Sequence, residues 1–192
     1  MPNLYIISGC NGSGKTTASY SLLPQMLGCH EFVNSDEFAK SISPFDPSTA
    51  AVGASRVMLQ KINYMLERER DFGIETTLAT RTLTRILEQA RKQGYRITII
   101  YLWLESPELA IKRIRNRVQA GGHNITDDTV QRRYRTGLQY FFDTYKDMAD
   151  RWVLGDNTQT PFSVIAEGSG EVTIIRNKKK YEQILEKLND TE

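Results

Sequence analysis

The stretch Gly9-Cys10-Asn11-Gly12-Ser13-Gly14-Lys15-Thr16 reads G-x-x-x-x-G-K-T, and no other feature of the 192-residue chain constrains its fold so tightly. Such a turn works only where a strand enters it and a helix leaves it. Both are predicted here. Leu4 to Ser8 is an apolar, β-prone run, and from Lys15 to about Leu27 a helical pattern places Ala18, Leu22 and Met26 on one face. The glycines let consecutive backbone N–H groups turn inward around a phosphate, and the start of the helix adds the positive end of its dipole.

Lys15 is expected to reach β- and γ-phosphate oxygens as a catalytic cation, and Thr16 to hold Mg²⁺ through its hydroxyl. The expected ligand is therefore ATP with Mg²⁺, bound by Gly9, Cys10, Asn11, Gly12, Ser13, Gly14, Lys15 and Thr16 with Thr17 beside them. The glycine order, G-x-x-G-x-G followed by Lys, excludes the dinucleotide fingerprint G-x-G-x-x-G. Asn177-Lys178-Lys179-Lys180 lacks the aspartate that would read guanine, which argues against a GTP-binding switch.

Beyond this turn, short β-type runs alternate with longer helical patterns, which predicts an α/β P-loop fold with a mainly parallel sheet flanked by helices. The expected strands are Leu4 to Ser8, Glu31 to Asn34, Phe72 to Thr77, Arg96 to Leu104 and Trp152 to Leu154, followed by a hairpin of Phe162 to Ala166 and Val172 to Arg176. Pro44, Pro47 and Ser48 introduce a long helix reaching about Arg70. Leu83, Ile86, Leu87 and Ala90 mark a further helix that Gly94 stops. Ser106-Pro107 starts another that breaks at Gly121-Gly122-His123-Asn124. Thr126-Asp127-Asp128 restarts it, and Lys178 to Leu188 forms a terminal helix. The length fits one domain over residues 1–192 with a helical lid at about residues 113–135.

Composition excludes several classes. Lys plus Arg number 25 against 23 for Asp plus Glu, too balanced by itself to imply a nucleic-acid-coating surface, so any basic character must be local. Only Cys10 and Cys29 occur, with no C-x-x-C pair, and no secretory leader or membrane-length apolar run is evident; a reducing, cytoplasmic location is the expectation.

Phosphoryl transfer asks the protein to orient a hydroxyl, neutralise charge and exclude water. Asp36 follows the second strand, at the strand end where ligands bind in open α/β sheets. It is a candidate base, or else a cap for a short helix. Glu75 and Thr77 share a face by strand alternation and suit contact with an acceptor, though β-branched filler at a strand end is the plain alternative. Arg113 and Arg117 lead into the Gly121-Gly122 break, with Arg132, Arg133 and Arg135 beyond it. This is how a mobile lid carries guanidinium groups onto a phosphate; Arg117 lies nearest the hinge. His123, in the same loop, is a second-rank contact for phosphate or substrate. The fourth strand offers no acid except Glu105 at its end, which leaves Mg²⁺ to Thr16, water and Asp36.

The order of these motifs resembles the zeta-toxin family of P-loop kinases: Gly-Cys-Asn-Gly-Ser-Gly-Lys-Thr-Thr, then Val33-Asn34-Ser35-Asp36, Ile74-Glu75-Thr76-Thr77, Arg117 with Gly121-Gly122-His123-Asn124-Ile125, and Arg132-Arg133-Tyr134. The likeness covers about the first 140 residues. It implies that Asp36 deprotonates the acceptor, that Glu75 and Thr77 contact it, and that Arg117 with Arg132 or Arg133 binds phosphates from the lid. It further implies UDP-N-acetylglucosamine as the small-molecule acceptor and an antitoxin protein as partner. The chain is compact after the lid, with no evident additional acceptor-binding segment.

Two other classes compete with a small-molecule kinase. A partner-coupled ATPase is disfavoured by the absence of an L-S-G-G-Q-like stretch and of a clear Walker B acid. A nucleic-acid or nucleoside kinase fits the basic lid but lacks an aromatic and basic platform.

Overall fold

The computed structural model describes residues 1–122 and 124–189. A seven-stranded sheet runs in the order β2-β3-β1-β4-β5-β6-β7, with β1 (Asn3–Ser8), β2 (Phe32–Val33), β3 (Phe72–Thr76), β4 (Arg96–Trp103) and β5 (Arg151–Asp156) parallel. The strands β6 (Ser163–Ser169) and β7 (Val172–Ile175) extend one edge antiparallel, as the expected hairpin. Helices α1 (Lys15–Ser21), α2 (Ser35–Ile42), α3 (Ala51–Glu67), α4 (Leu83–Lys92), α5 (Pro107–Gln119), α6 (Asp127–Tyr140) and α7 (Lys178–Asn189) surround it.

A sheet covered on both faces demands apolar residues at every position of its central strands. In β1, Leu4 and Ile6 join one core with Ile62, Leu66, Leu87, Ile97 and Ile99, while Tyr5 and Ile7 join the other with Leu22, Leu23, Ile100 and Leu102. The period-2 alternation of a strand thus feeds two cores. A smaller cluster of Leu104, Ala110, Ile114, Val130 and Tyr134 seats α5 and α6 beside Cys10 of the glycine-rich turn.

Three elements depart from expectation. The first helix was expected to reach Leu27, but regular α geometry ends at Ser21 and a π turn covers Leu22–Met26, where Pro24 has no N–H to continue the ladder. The short helix weighed after the second strand is present as α2, but its cap is Asn34 and not Asp36: the Asn34 side chain accepts from the N–H groups of Asp36 and Glu37. The long helix after Pro47 begins with a 3₁₀ turn and is α-helical only over Ala51–Glu67. Downstream of α6 a second π turn, Phe141–Tyr145, keeps Phe141 and Tyr145 on the face that Val130, Tyr134 and Leu138 present.

No described helix is long and apolar enough to cross a membrane. Among the described residues the largest aromatic contact group centres on Phe141, which is 0% exposed and lies 4.9 Å from Tyr101, 5.2 Å from Phe142 and 6.0 Å from Trp152 between ring centroids. Phe141→Ala leaves a cavity where four aromatic rings met, and chemical denaturation should record a loss of about 3–5 kcal/mol. A loss under about 1 kcal/mol would mean that the site collapses around the smaller side chain.

Candidate functional site

Order 2-3-1-4-5 places β1 at the point where the chain turns from building one half of the sheet to the other, and the crevice beyond its carboxyl end is where a ligand fits. The turn from Gly9 to Thr16 occupies that point. Gly9 sits at φ 137°, and a Cβ there would stand 2.3 Å from the Leu102 carbonyl oxygen of β4, so no larger residue fits. Gly14, at φ 86°, is the N-cap of α1 and has no side chain to bond its first N–H groups.

Lys15 is only 7% exposed and donates from Nζ to the Cys10 carbonyl at 2.9 Å, folded back over its own turn. The Cys10 thiol is pushed up to about 11 by burial, against the pull of Lys15, so it serves as packing and not as a thiolate. Asn11 accepts a hydrogen bond from Arg133 Nη1 at 3.0 Å, which brings α6 onto the turn.

Glu75 ties the cradle to the rest of the site. Its carboxylate accepts from Thr16 Oγ1 at 3.0 Å and from Asn34 Nδ2 at 2.9 Å, and it lies 4.0 Å from Lys15 Nζ. Burial raises its pKa, the proximity of Lys15 and the Thr16 hydrogen bond oppose this, and Asp36 and Glu37 add to the rise. The acid sought at the end of β4 is thus found at the end of β3, the strand paired with β1 on its other side. With one hydroxyl and one carboxylate at hand, Thr16 and Glu75 suit a hard cation that keeps several water and phosphate ligands.

Two cavities open beside this node. The larger, about 480 Å³, is lined by Thr16, Asp36, Lys40, Arg117, Thr129 and Arg133 among others. The smaller, about 390 Å³, is lined by Lys15, Glu75, Thr77, Thr80, Met58, Leu83 and Ile86, together with Asp36 and Arg133. Asp36 and Arg133 stand where the two adjoin. Asp36 lies in the first turn of α2 and is exposed; the cap it was weighed against is Asn34.

Of the arginines on α5 and α6, Arg117 projects from the last turn of α5, where Gly122 N–H donates to its carbonyl at 2.9 Å and ends the helix. Arg132 and Arg135 are exposed on α6 and are not among the residues lining either cavity, whereas Arg133 lines both. Arg113 donates to the Thr158 carbonyl at 2.9 Å. Thr17 is exposed on α1 and lines neither cavity. His123 lies outside the described residues.

Residues that the sequence did not single out also enter the site. Asn34 had a legible signal, an Asn two residues before Asp36 at a strand end. Asn157, whose amide donates to the Ser13 carbonyl at 2.6 Å, had none, because it reaches the cradle from the far end of β5.

Against known proteins, residues 1–160 match the family described as Zeta toxin. An uncharacterised protein of Haemophilus influenzae is 29% identical over 127 residues, 66% of this chain and 88% of that protein. A chain of the AvrRxo1-ORF1:AvrRxo1-ORF2 complex, solved with ATP, superposes with a TM-score of 0.73 at 13% identity, covering 96% of this chain and 63% of that one. This chain therefore spans less than two thirds of that neighbour's length. A structure from the PezAT chromosomal toxin–antitoxin system of Streptococcus pneumoniae gives a TM-score of 0.66 at 15% identity, covering 99% and 86% of the two chains. At these identities the two structures show the shared fold.

Because burial raises the Glu75 pKa, the folded state binds its proton more tightly than the unfolded chain does. The carboxyl therefore costs stability as pH rises through and above its ordinary value of 4.5. Glu75→Gln should remove that part of the pH dependence in denaturation midpoints measured at a series of pH values. An unchanged pH slope would place the carboxyl in a solvated setting.

Proposed function

The chain belongs to the zeta toxin family, and from that premise and the geometry of the crevice we propose that it is an ATP-dependent phosphotransferase acting on a hydroxyl of a small molecule. The observation that carries this reading is the convergence on one crevice of the glycine-rich turn, Lys15, the Thr16–Glu75 pair and Asp36, with two cavities adjoining at Asp36.

In this reading Lys15 exchanges the Cys10 carbonyl for β- and γ-phosphate oxygens, and backbone N–H groups of the turn and the start of α1 take the remainder. Mg²⁺ would be held by the Thr16 hydroxyl, with Glu75 beside it, and would neutralise charge between the β- and γ-phosphates. Arg133 and Arg117, from the two helices of the lid at residues 113–135, face the transferring group from the larger cavity. Asp36 accepts the proton of the acceptor hydroxyl. The oxygen of the acceptor hydroxyl forms a bond to the γ-phosphorus as the bond from that phosphorus to the ADP oxygen breaks, and the proton then passes from Asp36 to water. Thr77 and Glu75 line the smaller cavity on the acceptor side.

Kinship nominates UDP-N-acetylglucosamine as the acceptor and an antitoxin protein as the partner, the latter in keeping with the PezAT neighbour. Purified protein incubated with ATP·Mg²⁺ and a metabolite extract, or with UDP-N-acetylglucosamine alone, should generate a new phosphomonoester in mass spectra. ATP binding without any phosphorylated product in either mixture would favour a partner-coupled ATPase.

Lys15→Ala should abolish transfer. Asp36→Asn should lower kcat by about 10²–10⁴-fold, the usual range for loss of a general base, while ATP affinity by calorimetry stays within a few-fold. Turnover by Asp36→Asn equal to wild type would remove its assignment as base.

The two neighbouring arginines give a sharper contrast. Arg133→Ala, which takes a guanidinium from both cavities, should reduce kcat by about 10²-fold or more, whereas Arg132→Ala should leave it within about two-fold. Equal losses in steady-state assays would show that α6 rotates when the lid closes.

A further inference from the structure

The loop after β5 is held rigid by contacts that the transfer reaction does not itself need. The Asp156 side chain is 4% exposed and accepts from Lys180 Nζ of α7 and from the Thr158 N–H at 2.9 Å. Burial pushes its carboxyl up, yet the hydrogen bonds from Lys180 and Thr158 outweigh burial and hold it below the ordinary value. Thr158 accepts from the Glu105 N–H at 3.1 Å and, through its carbonyl, from Arg113 of α5 at 2.9 Å. Between these two clamped residues stands Asn157, whose own N–H donates to the Trp103 carbonyl at 2.9 Å.

The Asn157 side chain points at the glycine-rich turn. Its Nδ2 donates to the Ser13 carbonyl at 2.6 Å and lies so close to Gly14 that a Cβ there would stand 2.6 Å from it. In a planar trans peptide the carbonyl of one residue and the N–H of the next point in opposite directions. Whatever holds the Ser13 oxygen toward β5 therefore turns the Gly14 N–H the other way, away from Asn157. Asn157 lines neither cavity.

We infer that Asn157 is a positioning residue of the phosphate cradle. By fixing the Ser13–Gly14 peptide plane it keeps the Gly14 amide aimed at the bound phosphates, and it acts through that peptide without touching base or phosphate. The chain Lys180–Asp156–Asn157–Ser13 extends this hold to α7, so the C-terminal helix contributes to phosphate binding from outside the segment that carries the motifs. The inference rests on the reading of the cradle as a triphosphate site.

The test is calorimetry on the full chain with two probes, ATP·Mg²⁺ and inorganic tripolyphosphate·Mg²⁺, the second having every phosphate and no base. Asn157→Ala should weaken both about 10-fold, the scale of one hydrogen bond to an otherwise unpaired acceptor, with the ATP-to-tripolyphosphate affinity ratio unchanged. Asn157→Asp keeps the volume but sets an acceptor against the Ser13 carbonyl, and should weaken both further. It also serves where the alanine variant melts early. Weakened ATP with unaltered tripolyphosphate would make Asn157 a base contact and overturn the inference, as would wild-type affinity for both probes in both variants. Wild-type protein that binds neither probe would instead remove the triphosphate reading itself, and the inference with it.

Discussion

A backbone that wraps a phosphate has to present several amides to one point, and α or β geometry cannot do that. Between Ser8 and Lys15 the chain adopts positive φ at Gly9, Gly12 and Gly14. Such a turn has no ladder of its own and must be supported from outside. Support comes from every neighbour. β4 presses the Leu102 carbonyl against Gly9, α5 places the Ala110 carbonyl where a Cβ on Gly12 would clash, and the β5 loop sets Asn157 against Gly14. The central parallel strands, by delivering β1, β3, β4 and β5 to one edge in fixed register, are what make that support simultaneous.

The same edge gathers opposite charges in a half-dry setting. Lys15 and Glu75 have side chains exposed by only 7% and 8%, at a separation of 4.0 Å, with the Thr16 hydroxyl bonded to the same carboxylate. Removing one partner would leave the other poorly solvated, so both are better held together than apart. That arrangement holds a cation and an acid beside the glycine-rich turn, and it positions Asn34, hence the start of α2. The acid–base candidate is thus tied to the cradle through Asn34, which donates to Glu75 and accepts from the Asp36 N–H.

Much of this was legible in the order of residues. G-x-x-x-x-G-K-T between an apolar run and a helical pattern located the cradle, and the strand-helix alternation located the parallel sheet, its hairpin and the helices that flank it. The misread parts have local causes. The cap of the helix after Asn34 was sought at Asp36, two residues late, because either side chain can accept from a helical N–H and only the fold shows which one does. The acid beside Thr16 was looked for at the end of β4; β3 and β4 both pair with β1, and it is β3, on the other side, that carries Glu75 to the Thr16 hydroxyl.

What the sequence determined by itself is the chemistry of short range: which peptide bonds can bend around phosphate, which residues alternate into a core, where helices begin and stop. Those follow from steric limits on φ and ψ and from periodicity, both properties of a few consecutive residues. Only the tertiary structure decided which of Arg132 and Arg133 faces the crevice, which carboxylate meets Thr16, and that Asn157 reaches Ser13 across 144 positions of chain. Those depend on strand order and on the rotation of α6 about its own axis, which are set by the packing of the whole core and have no signature in any one segment.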